Sequence, residues 1–180
     1  EVKEIQTEAG EQQELSEILI QEFPRVFGKQ LGCLEGYTYS IQLKSQTTPV
    51  CGKVRGVPIS IRDDMRKELM KLKEGGIIEE VEGTEWLSPV VAARKPNGSL
   101  RLCVDLRELN KCVVVDRYPL PNITEMLMLL EGSTVFSNID LNSAYHQIKL
   151  NDSSKDLTAF VTPFGTFRYN RLPFGLISAA

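Results

Sequence analysis

The spacing of apolar residues along the chain predicts several short helices. The first is an amphipathic helix that ends near Pro24, and its apolar positions are Leu15, Ile18, Leu19, Phe23 and Phe27. A clearer helix starts at Ser60, which can cap it, and stops at Gly75-Gly76. Its apolar stripe consists of Ile61, Met65, Leu69 and Leu72. A third helix runs from the capping-box-like residues 122–125 to Leu130 and ends at Gly132.

Alternating and continuous apolar runs predict strands between these helices. Residues 37–43 alternate, and residues 88–94 and 99–106 are joined by Lys95-Pro96-Asn97-Gly98, whose Asn-Gly pair is a strong hairpin signal. An apolar run over residues 135–139 ends in Asp140, and a further run covers residues 145–150 before a turn at residues 151–154. Two last strands, residues 157–162 and 166–172, flank a turn. Because helices and strands are mixed rather than strictly alternating, we predict an α+β fold with an antiparallel sheet and packed helices.

Charge is distributed unevenly along the 180 residues. The net charge is −3, but residues 1–22 carry seven acids and one base, so the remaining 20 basic and 17 acidic side chains leave a net +3. This balance excludes a simple basic coat for nucleic acid. A polyanion would have to bind in a local groove.

Composition and cysteine spacing indicate how large a core the chain can bury, whether it enters a membrane and whether its thiols are reduced. At 42% hydrophobic residues, the chain can bury one core. It contains no run of 18 apolar residues and no signal-peptide pattern, so we expect no membrane partner. Its four cysteines lack a C-x-x-C pair, which favours reduced, mostly buried thiols in an intracellular protein of the cytoplasm or nucleus.

Candidate chemistry is ambiguous when each residue is taken alone. Asp140 at a strand end could be a metal ligand or a solvated turn acid, and Tyr145 could be a core tyrosine. Asp63-Asp64 resembles a metal-binding pair, but acids at a helix N-terminus usually complement the helix dipole. His146 is the only histidine and has no nearby partner for zinc, so we expect it to be packed or exposed rather than catalytic.

Four segments in order remove much of this ambiguity: RLCVDLRELNK (101–111), DRYPLP (116–121), DLNSAYHQI (140–148) and LPFGL (172–176). Together they resemble the fingers and the first part of the palm of a reverse transcriptase, most closely the gypsy class of long-terminal-repeat retrotransposons. The resemblance covers roughly residues 35–180. It implies an acidic connecting segment over residues 1–35 and a reverse transcriptase domain over residues 36–180, as part of a polyprotein.

The resemblance also implies roles for individual residues. Asp140, with the Leu141 backbone carbonyl, would bind the two catalytic Mg²⁺ ions, which suit hard oxygen ligands at a strand end. Tyr145 would exclude a ribose 2′-hydroxyl. The remaining residues assigned to the incoming dNTP are the triphosphate-gripping Lys95 and Arg101, the strand-to-turn residues Asn142, Ser143 and Ala144, and the base-covering Phe174 and Gly175. Asp105 and Arg107 are interpreted as a structural pair that supports the hairpin.

This sequence departs from the family pattern in three places. Ala180 and Gly56 stand where proline is common, and no aromatic-x-Asp-Asp segment follows Asp140 within the chain. We therefore expect the N-terminal portion of an RNA-directed DNA polymerase, inactive by itself, with a primer-template (RNA or DNA), dNTPs and the rest of the polyprotein as partners. That remainder would comprise palm and thumb, with RNase H and integrase among the regions such polyproteins can carry. The alternative is a non-catalytic remnant that acts as a binding module.

Overall fold

The computed structural model describes residues 17–28, 30–53, 55–94, 98, 100–115, 119, 121–134, 136, 138 and 140–179. The chain divides into two compact units, Glu1–Gly32 and Cys33–Ala180. In the first unit, residues 17–22 are helical (α1) and the chain turns at Pro24, as the sequence predicts. The apolar residues Ile18, Phe23 and Phe27 of this unit are exposed.

A five-stranded sheet forms the centre of the second unit. Its order is β2-β7-β6-β3-β4, with all neighbours antiparallel except β3 and β6, which are parallel. A separate parallel pair joins β1 to β5. The strands are β1 (Thr38–Tyr39), β2 (Ile78–Glu80), β3 (Ser88–Arg94), β4 (Leu100–Val104), β5 (Lys149–Leu150), β6 (Phe160–Thr162) and β7 (Gly165–Tyr169).

Among the described residues of the second unit, four helices and three 3₁₀ turns accompany this sheet. The helices are α2 (Arg62–Glu74), α3 (Arg107–Cys112), α4 (Ile123–Met128) and α5 (Asp152–Lys155), and the 3₁₀ turns are Ile59–Ile61, Ala144–Gln147 and Asp156–Thr158. Helix α2 lies against β2 and β4, and its stripe residues Met65 and Leu69 are buried. No helix in the described part of the chain is long and apolar enough to cross a membrane.

Two buried hydroxyl groups connect the helical turns to the strands. Ser154 Oγ accepts a hydrogen bond from the Ile41 backbone N–H at 2.8 Å. Thr158 Oγ1 accepts one from the Tyr169 N–H at 3.0 Å and donates to the Lys155 carbonyl at 2.7 Å. Both residues are fully buried, so these bonds satisfy backbone groups that water cannot reach.

Several predicted boundaries are corrected by the structure. Ser60 is not the cap of α2, because a 3₁₀ turn precedes the helix and places Ile61 at the N-cap without a side-chain bond. The strand expected over residues 37–43 contains only two residues, since its partner β5 is equally short. The turn expected over residues 151–154 is helix α5, because Asn151 Oδ1 accepts the Ser154 N–H at 3.0 Å.

One further correction concerns the helix before Gly132, whereas the strand expected to end at Asp140 remains a prediction. Helix α4 stops at Met128, and its cap Asn122 bonds the Thr124 N–H at 3.0 Å. Of the expected strand, residues 135, 137 and 139 lie outside the described residues. Phe136 and Asn138 are exposed and belong to no strand.

The cysteine prediction is only half right. All four thiols are free, as expected, but Cys51 and Cys103 are exposed and the other two are half-buried. Cys103 is exposed because side chains alternate along β4. Leu100 and Val104 point into the core, which places Arg101 and Cys103 on the opposite face.

Candidate nucleotide-binding site

Arg101 and Tyr145, which are both predicted to bind nucleotide, lie against the ring of Phe174, a third residue with that prediction. The Arg101 guanidinium carbon lies 5.5 Å from the centroid of the Phe174 ring. The Tyr145 ring meets Phe174 edge-on, with centroids 5.1 Å apart and planes at 84°. His146 approaches the same ring from a further direction, at 4.9 Å and 71°. We call Arg101, Tyr145, His146 and Phe174 the Phe174 cluster.

The residues of the cluster are delivered by β4 and by a tight turn. Arg101 lies on the outward face of β4, where it pairs with Ala93 of the β3–β4 hairpin. Tyr145 belongs to the 3₁₀ turn Ala144–Gln147, which the chain enters through Ser143 at φ 50°. The Ser143 carbonyl accepts the His146 N–H at 2.9 Å, and this bond closes the turn.

Phe174 lies in a loop that two distant side chains hold in place. Asn110 Nδ2 donates to the Gly175 carbonyl at 2.8 Å, and Asn110 Oδ1 accepts from the Ile177 N–H at 3.0 Å. The Tyr39 hydroxyl donates to the Ser178 carbonyl at 2.9 Å. Gly175 adopts φ 90°, a conformation that favours glycine. The loop can therefore expose Phe174, 38% accessible, on a fixed backbone.

His146 is the buried member of the cluster. Its ring stacks on Tyr169 of β7, with centroids 6.1 Å apart, and its Nε2 atom has no hydrogen-bond partner among the described residues. Burial, with a smaller contribution from the nearby Arg171 cation, lowers the pKa of His146 to about 4. The imidazole is therefore neutral at physiological pH.

Asp140 and Leu141 lie on the surface. The carboxylate forms no hydrogen bond or ion pair with any described residue, and Leu141 is 64% exposed. Within the described ranges, no group of three or more His, Cys, Asp and Glu is placed to hold a metal ion. A carboxylate and a backbone carbonyl are oxygen ligands of the kind that Mg²⁺ prefers, but two ligands are too few for a two-metal site. These residues therefore fit such a site only in part.

Of the two neighbouring cations Arg94 and Lys95 in the β3–β4 hairpin, the structure describes only Arg94. Lys95, predicted to grip the triphosphate, lies outside the described residues. Arg94 pairs with Asp64 of α2 at 3.1 Å and donates to the Gly98 carbonyl at 3.2 Å. Asp64 therefore braces the hairpin, and the described residues give it no metal partner.

The structural pair inferred from Asp105 and Arg107 is present and has a third member. Arg107 donates to both carboxylate oxygens of Asp105, at 2.7 and 2.8 Å, and Arg55 bonds the same group at 2.7 Å. The Arg107 hydrogen bond is the main cause that lowers the pKa of Asp105 to about 2. Sequence reasoning missed Arg55 because 50 residues separate it from Asp105.

Other residues of the predicted nucleotide stretch shape the turn. The Asn142 carbonyl accepts from Gln147 Nε2 at 2.9 Å, and Ser143 Oγ donates to Asn142 Oδ1 at 3.3 Å. Ala144 opens the 3₁₀ turn and is half-buried. The sequence did not single out Asn110 as a functional residue. Its only signal was its place in the motif at residues 101–111, since its bonds to the loop span 65 and 67 residues.

The architecture is that of the reverse transcriptases. The structure of the foamy viral protease-reverse transcriptase in complex with RNA/DNA hybrid matches with a TM-score of 0.77 and 17% identity, over 97% of this chain and 24% of that one. Residues 93–180 match the family described as reverse transcriptase (RNA-dependent DNA polymerase). The predicted resemblance to reverse transcriptases and the α+β fold class are thereby confirmed.

Retrotransposon polyproteins are similar over most of the chain. The retrovirus-related Pol polyprotein from transposon opus of Drosophila melanogaster is 33% identical over 174 residues, 93% of this chain and 17% of that protein. The one from transposon 412 of the same organism is 36% identical over 146 residues, 78% of this chain and 12% of that protein. The chain therefore spans less than a fifth of the length of these relatives.

Proposed function

We propose that this chain is the N-terminal portion of an RNA-directed DNA polymerase from a gypsy-class retrotransposon polyprotein. In that protein it would help to transfer deoxynucleotides onto a primer. The similarity to Pol polyproteins and the family match of residues 93–180 support the reaction class. Residues 1–35 would connect to an upstream region, and residues 36–180 would form the fingers and the first part of the palm.

The convergence of Arg101, Tyr145 and Phe174 is the observation that carries this proposal. An exposed aromatic ring can receive a base or sugar face, and base–aromatic stacking contributes about 1–3 kcal/mol. A guanidinium beside that ring can pair with a phosphate oxygen through two N–H groups. A second ring, Tyr145, stands edge-on at 5.1 Å, where it can block a bulkier sugar. A deoxynucleoside triphosphate carries the base, the deoxy sugar and the phosphates that such a site would recognise.

Asp140 and the Leu141 carbonyl would hold Mg²⁺ in the assembled enzyme, with further ligands from outside the described residues. When bound, the metal would neutralise the charge that develops on the reacting phosphate. The role of this chain is to orient the nucleotide base and sugar against Phe174 and to bring Arg101 to its phosphates. A primer-template and the remaining regions of the polyprotein are the partners that this role requires.

The test is primer extension by a protein that contains this chain and its continuation. Asp140→Asn should reduce the rate on the order of a thousandfold, since it removes a metal ligand without altering the fold. Asp63→Asn is the matched control, because Asp63 is an exposed carboxylate on α2 that has no proposed role in the nucleotide site. A mutant that keeps a tenth of the wild-type rate would exclude Asp140 as a ligand. A wild-type protein that binds nucleic acid without extending primers would favour the binding module.

Two assays test the finer assignments. Tyr145→Ala should raise ribonucleotide incorporation more than it lowers deoxynucleotide use, and unchanged sugar discrimination in competition would return Tyr145 to a packing role. Residues 1–180 alone should not extend a primer with Mg²⁺, because Asp140 by itself supplies too few ligands. Extension by residues 1–180 that disappears in Asp140→Asn would contradict this account of the metal site.

A further inference from the structure

We propose that His146 is a positioning residue whose imidazole, held between Tyr169 and Phe174, sets the orientation of the Phe174 ring for an incoming nucleotide. This inference rests on the proposed nucleotide-binding role of the Phe174 cluster and adds a residue to it. His146 itself is buried and touches the nucleotide only through Phe174. The Phe174 ring, which would cover the base, thus contacts His146 beneath it as well as Tyr145 beside it.

The first argument is the geometry of the ring contacts. His146 stands at 71° to Phe174, with centroids 4.9 Å apart, closer than Tyr145 at 5.1 Å. Edge-to-face contacts of this kind depend on ring angle and contribute about 0.5–1.5 kcal/mol beyond buried area. Two such contacts from consecutive residues of one 3₁₀ turn restrict the tilt of Phe174.

The second argument is that His146 is itself fixed from the other side. Its ring stacks on Tyr169, with planes 29° apart, and Tyr169 is buried in β7, which is hydrogen-bonded to β2 on one side and β6 on the other. The chain of contacts therefore runs from a rigid strand through His146 to Phe174. A ring supported on a rigid element is positioned more accurately than a ring on a loop alone.

The third argument is that His146 is chemically costly at this position. Its Nε2 atom is buried without a partner among the described residues, and the Arg171 guanidinium lies near enough to disfavour the charged imidazole. A core that needed only apolar volume would be satisfied by leucine or phenylalanine at lower cost. Among the described residues, Tyr169 stacks on the imidazole and Arg171 disfavours its charged form, and neither stabilises a proton on it.

A direct measurement follows the Phe174 ring by ¹⁹F NMR in the full chain labelled with 4-fluorophenylalanine. The Phe174 signal is identified as the peak missing from Phe174→Leu, and dTTP without metal is the titrant. His146→Leu should shift this signal in the free protein, because the ring loses its edge contact. The same variant should weaken dTTP binding about fivefold. His146→Phe, which restores a ring, should bind within about twofold of wild type.

A merely structural role for His146 predicts a different pattern. It would lower the melting temperature of His146→Leu while the folded fraction keeps a single sharp Phe174 signal, displaced only by the loss of the imidazole ring current, and the wild-type dTTP affinity. That pattern would overturn the proposal, as would equal weakening in His146→Phe. If dTTP moves the Phe174 signal in no variant, wild type included, the proposed nucleotide site fails. A Phe174 signal that broadens or splits in free His146→Leu, but not in His146→Phe, would still show that His146 restrains the ring.

Discussion

Asn110 supports the Phe174 loop together with the Tyr39 hydroxyl, and replacing Asn110 tests its share of this support. Asn110 uses both ends of its amide, donating to the Gly175 carbonyl at 2.8 Å and accepting from the Ile177 N–H at 3.0 Å. An aspartate at this position keeps the acceptor and loses the donor, and it brings a negative oxygen against the Gly175 carbonyl. An alanine loses both bonds. The two variants therefore separate the donor from the acceptor.

The expected magnitudes follow from the exposure of these bonds. A net intramolecular hydrogen bond contributes about 1 kcal/mol, and water can replace part of it because both bonds lie near the surface. Asn110→Ala should therefore lower the free energy of unfolding by about 1–2 kcal/mol. Asn110→Asp should lower it at least as much, since repulsion offsets the bond that remains. Lys111→Ala is the control on the same helix, and its loss of an exposed ion pair to Glu108 should cost about 0.5 kcal/mol or less.

Two readouts distinguish a local effect from a global one. Urea denaturation gives the free energy of unfolding, and amide hydrogen exchange gives the protection of the Ile177 N–H. We expect Ile177 to lose protection in Asn110→Ala and to keep part of it in Asn110→Asp. Strand amides such as Phe160 should follow only the change in global stability. An Ile177 amide that exchanges equally slowly in wild type and Asn110→Ala would refute the assignment of Asn110 as the support of this loop.

Three further predictions concern the acid–base and buried groups. Asp105→Asn should lower stability at pH 7 by about 1 kcal/mol, because the partners of Asp105 are largely exposed and screened. Because the pKa of Asp105 is lowered to about 2, its contribution to stability is complete above pH 4 and is lost as the pH falls towards 2. A plot of the urea midpoint against pH should show this loss in the wild type and not in Asp105→Asn. Burial holds His146 neutral in the folded protein, so the imidazole takes up a proton when the protein unfolds below about pH 6.5. The free energy of unfolding should therefore fall as the pH drops from about 6.5 to 4, and His146→Phe, titrated in the same way, should lack this contribution. Ser154→Ala leaves the buried Ile41 N–H without its acceptor and should cost about 1–3 kcal/mol by calorimetry or urea denaturation.

Local patterns were enough to predict the β3–β4 hairpin and α2. The hairpin follows from two apolar runs around Asn-Gly, and its register places Arg94 opposite Leu100. The stripe of α2 follows from helical periodicity, and Met65 and Leu69 are buried as that periodicity requires. In both elements, the interactions that decide the structure lie within a few residues along the chain. Such interactions can be read from the order of residues alone.

Contacts between distant segments could not be predicted in the same way. The Tyr39 hydroxyl reaches Ser178 across 139 residues, and Asn110 reaches Gly175 across 65. Neither pair has a spacing or a motif that points to its partner, because polar side chains can bond any backbone group that folding brings near.

The same distinction explains why the sequence pointed to Phe174 but not to the ring contacts of His146. Arg101, Tyr145 and Phe174 belong to motifs that resemble a known family, so their meeting could be anticipated from that resemblance. His146 lies beside Tyr145 in one motif, but the role proposed for it depends on Tyr169 behind it and Phe174 in front, which belong to separate segments. A lone histidine without metal partners is usually a packing residue. Here the packing connects the central sheet to the ring proposed to receive the nucleotide, so under this proposal stability and substrate orientation depend on the same side chain.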